Sequence, residues 1–80
     1  MDTQALKTFL TLANVKNFTQ TARLMYIAQS TVTNRIAELE KEVGKPLFVR
    51  SKKNISLTRE GVVFLDYARR ILDLGELSIK

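Results

Sequence analysis

The 80-residue chain contains no cysteine and no histidine, one proline, and only three glycines. Without cysteine it has no disulfide framework and no thiolate metal site. Without histidine it has no zinc finger, no Ser-His-Asp triad and no imidazole base. Gly44, Gly61 and Gly75 are too sparse for a phosphate-cradling glycine loop. Apolar runs such as Val62, Val63, Phe64 and Leu65 are far short of a membrane span. Residues 1–4 carry neither a basic nor an apolar region, so no export signal is read and a cytosolic location is expected.

What is present points to one small globular domain. Apolar residues make up 45% and charged residues 26%, an ordinary balance for a soluble fold. A chain of this length buries only about 60% of its unfolded surface, so the core is thin and a partner subunit can help. The formal net charge is +5, and it is not evenly spread. Residues 43–59 hold five basic side chains (Lys45, Arg50, Lys52, Lys53, Arg59) and no acid, while the remaining basic and acidic residues balance. A basic patch on a neutral body suits contact with a polyanion; a solvated lysine loop would carry the same charge.

Apolar spacing divides the chain into four helices. Leu6, Phe9, Leu10 and Ala13 follow a helical face within residues 3–14. A turn at residues 15–17 precedes a short second helix, with Thr19 expected as its N-cap and an end near Met25. Val32, Ile36, Leu39 and Val43 mark a third helix over residues 29–43, stopped by Gly44 and Pro46. Residues 47–50 and 55–58 are rich in β-formers and flank the polar loop Ser51, Lys52, Lys53, Asn54, which predicts a hairpin with a basic tip. Thr58 is placed to cap a long fourth helix over residues 59–78.

On a helical wheel the third helix sets Val32, Ile36, Leu39 and Val43 on one side, with Ser30, Asn34, Ala37 and Lys41 opposite and Thr31 and Thr33 flanking. Serine and threonine are weak helix formers, and a solvated face generally carries Glu, Lys or Arg. Short donors and acceptors at an acid-free helix N-terminus suit entry into a major groove. A short helix, a tight turn, a longer helix and a basic hairpin together make a winged helix-turn-helix, with the positive segment at the wing.

In the fourth helix Val63, Phe64, Leu65, Tyr67, Ala68, Ile71, Leu72, Leu74, Gly75 and Ile79 fill an arc of about 200°, twice what packing on one neighbour needs. The excess predicts a homodimer seam, with Leu65, Ala68, Leu72 and Ile79 as its expected residues.

Four stretches resemble the LysR-type transcriptional regulators. Residues 17–24 resemble that family's SFTxAAxxL opening, and residues 28–36 its SQPALSRQI reading helix. Residues 39–44 with 47–50 resemble LExxLG…LFxR, and residues 57–61 resemble LTxxG. The resemblance implies a bacterial transcription factor, cytoplasmic and nucleoid-associated. Residues 1–58 would form the winged helix-turn-helix, with the helix-turn-helix over residues 18–37 and the wing over 47–58, and residues 59–80 a linker helix that dimerises. It further implies a separate effector-binding domain beyond this chain that holds a small-molecule inducer, and is compatible with RNA polymerase contact by the full-length protein. No cofactor is expected within these 80 residues.

Double-stranded DNA is the implied partner, with Thr19, Gln29, Ser30, Thr31, Thr33, Asn34, Arg35, Arg50, Lys52, Lys53 and Asn54 as candidate contacts. Ala28 stands where the family commonly has Ser, so the third helix is expected to lack a side-chain cap. Asn34 stands where Arg is common, which favours adenine over guanine at that contact. Arg50 suits either a phosphate or an ion pair with Glu40 or Glu42. A protein-docking winged helix is the competing function, and an enzyme is not expected, since the carboxylates are scattered along polar helix faces.

Overall fold

The computed structural model describes residues 2–51 and 54–79, the last six by their backbone alone. The elements run α1 (Thr3–Val15), α2 (Phe18–Met25), α3 (Gln29–Val43), β1 (Phe48–Arg50), β2 (Ile55–Leu57) and α4 (Arg59–Ile79). This is a winged helix: three helices, a two-stranded antiparallel wing and a long following helix.

Local chemistry sets each boundary. Asp2 accepts from the Ala5 N–H at 2.8 Å and starts α1. Lys16 ends it in the left-handed region at φ 55°, its N–H returning to the Leu12 carbonyl at 2.7 Å. The N-cap of α2 is Asn17, not Thr19: its side chain accepts from the Gln20 N–H at 2.8 Å. Asn17 and Gln20 occupy the first and fourth places of a capping-box pattern, and Asn ranks above Thr as a cap. Tyr26 closes α2 at φ 58°, a conformation that costs a non-glycine residue about 1 kcal/mol or more. Its N–H reaches the Ala22 and Arg23 carbonyls, and this lets α3 begin three residues later without a glycine. Ala28 gives α3 no side-chain cap, as its methyl dictates, and Gly44 ends the helix at φ 84°.

The core is built on Phe9. Its ring lies 5.3 Å from Phe48 and 5.0 Å, edge-on, from Phe64, so α1, the wing and α4 meet at one aromatic cluster. Leu6, Leu12, Ala22, Val32, Ile36, Leu39, Leu47 and Ala68 complete the buried set. Two buried threonines, Thr8 and Thr21, return their hydroxyls to the carbonyls of Gln4 and Asn17. Among the described residues no buried side-chain polar atom lacks a partner.

The wing pairs Phe48 with Leu57, Val49 with Ser56 and Arg50 with Ile55. Thr58 then does two things. Its hydroxyl donates to the Pro46 carbonyl at 2.6 Å and accepts from the Gly61 N–H at 3.0 Å, capping α4 while fastening it to the start of the wing. The approach is close enough that a Cβ on Gly61 would drive into the Leu47 carbonyl oxygen.

Along α4 the apolar arc is divided unevenly. Phe64 and Ala68 are buried in the chain's own core, and Leu65 and Leu72 pack partly against it. Ala68, expected at a dimer seam, is 0% exposed and offers nothing to a second copy. Among the described side chains of α4, the apolar surface left open is one helical stripe, Val63 (68% exposed), Tyr67 (53%) and Ile71 (37%), with Val62 beside it. Ile79 lies outside the residues whose side chains are described. Among the described residues no helix is long and apolar enough to cross a membrane.

Candidate nucleic-acid interface

The second and third helices set their N-termini side by side. Thr19, in the first turn of α2, donates its hydroxyl to Oε1 of Gln29, the first residue of α3, at 3.1 Å. Gln29, Ser30 and Asn34 are exposed along α3, and Thr31 and Thr33 are half-buried at its flanks. The Thr33 hydroxyl is turned onto the Gln29 carbonyl at 3.2 Å. No acid lies in the first turn of α3. Its free N–H groups and positive dipole end therefore face solvent beside short polar side chains.

Beside this surface lies an open cleft between the start of α2 and the wing, lined by Lys16, Asn17, Phe18, Thr19, Arg50, Ser51, Asn54 and Ile55. Arg50 sits over the Phe18 ring, 5.2 Å from its centre, and 3.8 Å from Glu40. The ion-pair alternative thus falls on Glu40, and the Arg50 side chain stays about half exposed (47%). Such an exposed pair contributes about 1 kcal/mol at most. Glu40 contributes more by anchoring the wing, because its other oxygen accepts from the Leu47 and Phe48 N–H groups at 2.8 and 3.3 Å. Asn54 closes the wing tip, exchanging hydrogen bonds with Ser51 through its backbone N–H and carbonyl. Lys52 and Lys53 lie outside the described residues.

Arg35 is not gathered into this surface. Its Nη1 donates to the Thr8 hydroxyl at 3.2 Å, so the side chain ties α3 to α1. Lys16, Asn17 and Phe18 were not among the candidates from sequence, yet all three line the cleft. Asn17 was legible from its capping-box spacing with Gln20. The Phe18–Arg50 contact spans 32 positions, and no local signal announces it. Among the described residues no group of His, Cys, Asp or Glu could hold a metal ion.

Residues 3–62 match the family described as bacterial regulatory helix-turn-helix protein, lysR family. The chain is 47% identical over 79 residues to the HTH-type transcriptional regulator CitR of Bacillus subtilis, covering 99% of this chain and 27% of that protein. Among solved structures, DarR of Vibrio fischeri in complex with DNA superposes with a TM-score of 0.93 at 39% identity, over 99% of this chain and 27% of that one. A CbnR DNA-binding domain–DNA complex superposes with a TM-score of 0.92 at 36% identity, over 98% of this chain and 90% of that one. The chain spans about a quarter of the length of the relatives it matches (26% and 27%).

Proposed function

The chain belongs to the LysR family of bacterial regulatory helix-turn-helix proteins, and from that premise we propose that it binds double-stranded DNA sequence-specifically to regulate transcription. The N-terminal half of α3 enters the major groove, and the wing follows the flanking backbone and minor groove. The observation that carries this reading is the meeting of two unlike features on one surface. The acid-free, Gln-Ser-Thr-Asn start of α3 lies beside the cleft that holds Lys16 and Arg50. The first can discriminate base edges, and the second neutralises phosphate.

Two copies pack through α4 along the Val63, Tyr67 and Ile71 stripe. Two-fold symmetry then calls for a pseudo-palindromic site. The module works by binding rather than by catalysis, in the bacterial cytoplasm at the nucleoid. Lys52 and Lys53 supply phosphate contacts at the wing.

Titration into labelled duplex of mixed sequence at several salt concentrations tests this. The logarithm of affinity should fall with the logarithm of salt by about 0.9 per phosphate contact, and Lys52→Ala with Lys53→Ala should make that slope shallower by up to about two. A folded dimer that binds no DNA at low salt would leave a protein-docking winged helix as the better account.

A further inference from the structure

Thr8, Thr11, Thr21 and Thr33 each turn their hydroxyl back onto the carbonyl four residues earlier in the chain. Thr19 does not. It is the second residue of α2, and the residue four places before it, Val15, belongs to α1. Nor is it occupied as a cap, because Asn17 holds that place. Its hydroxyl is free to cross the turn, and it donates to Oε1 of Gln29. Both side chains are exposed, where a neutral hydrogen bond competes with water and adds little stability. The bond fixes where the amide sits, and in the structure it is Oε1, not Nε2, that faces the hydroxyl. A glutamine amide has an accepting end and a donating end. With Oε1 turned toward Thr19, the Nε2 hydrogens are the end left for a ligand.

We infer that Thr19 is a positioning residue that makes Gln29 a hydrogen-bond donor toward the major groove, so that Gln29 favours guanine over adenine at its contact. The inference rests on the DNA-binding reading above. Bidentate reading of adenine uses both ends of an amide, because adenine offers the N7 acceptor and the N6 donor. Guanine offers two acceptors, N7 and O6, which the two hydrogens of one NH2 group can meet. Asn34 is the contrast. It is exposed on the same helix, and among the described residues its side-chain amide makes no hydrogen bond, so both ends remain for adenine. Two amides on one helix are thereby set to read different purines.

The experiment uses the 80-residue chain, site selection followed by affinity measurement, and the variants Gln29→Ala, Thr19→Val and Thr19→Ser. The base pair at which Gln29→Ala abolishes discrimination is the Gln29 contact. There the parent chain should prefer guanine. Thr19→Val should cut the guanine-to-adenine affinity ratio by about five- to tenfold, Thr19→Ser should restore it, and the salt slope should be unchanged. In the free protein, nitrogen-15 relaxation should show a more mobile Gln29 side-chain amide in Thr19→Val and not in Thr19→Ser.

An unaltered ratio in Thr19→Val, or adenine preferred by the parent chain, overturns the inference. So does a uniform loss of affinity with a flatter salt slope, which would make Thr19 a phosphate contact in its own right. Absence of all DNA binding defeats the functional reading and this inference together. Unaltered amide mobility in Thr19→Val defeats the positioning role alone.

Discussion

The carboxylate of Glu40, near the end of α3, accepts the N–H of Leu47 at 2.8 Å, immediately before the first strand of the wing. The same oxygen takes the Phe48 N–H at 3.3 Å, so one side chain fixes where the wing begins relative to the reading helix. Glu40→Ala leaves the Leu47 and Phe48 N–H groups without this acceptor. Urea denaturation should show a loss of about 1–3 kcal/mol. Glu40→Gln, which keeps an acceptor oxygen, should lose less. Equal losses in the two variants would show that the acceptor is not what matters.

Two glycines should respond to alanine for different reasons. Gly61→Ala forces a methyl into the Leu47 carbonyl, which is backbone held by the Thr58 N–H at 3.0 Å and cannot swing aside. The expected cost is about 1–3 kcal/mol or more, the range for overpacking. Gly44→Ala meets nothing within 4 Å but must hold φ at +84°, at a cost of about 1 kcal/mol. Thermal melts of the two variants should rank Gly61→Ala as clearly the worse.

The capping assignment of α2 separates Asn17 from Thr19 by stability. Asn17→Ala removes the acceptor for the Gln20 N–H and should destabilise the fold by about 1 kcal/mol. Thr19→Val should change stability by no more than about 0.5 kcal/mol, since it loses only an exposed bond. The reverse order in chemical denaturation would return the cap to Thr19.

Self-association should depend on the exposed stripe of α4. Tyr67→Lys and Ile71→Lys put charge on apolar surface that the chain leaves open, and each should weaken the dimer at least about tenfold in sedimentation experiments. Ala68→Leu should act differently. It overfills a site with no exposed surface and should lower the melting temperature, with a cost of about 1–3 kcal/mol.

Much of the fold was legible because its signals are local. The spacing of Val32, Ile36 and Leu39 marks the buried side of α3, Gly44 ends it, and Thr58 caps α4 where a short polar residue precedes the helix. The basic segment lay in plain view as charge. The placement of the α2 cap on Thr19 failed against a rival two residues away, because both types can cap and the choice depends on where the chain enters from α1.

The number and order of the elements, the acid-free start of α3 and the clustering of positive charge between residues 43 and 59 could be read from the residues alone. These follow from periodicity, capping chemistry and formal charge, each of which acts within a few residues. Which polar groups meet was settled by how the elements pack. That packing placed Thr19 on Gln29, Arg50 over Phe18 and Arg35 against Thr8. It also divided the apolar arc of α4, burying Ala68 and leaving Val63, Tyr67 and Ile71 open. Those outcomes depend on how helices cross and how close their backbones come, and a helical wheel, which knows only the angle around one axis, carries neither.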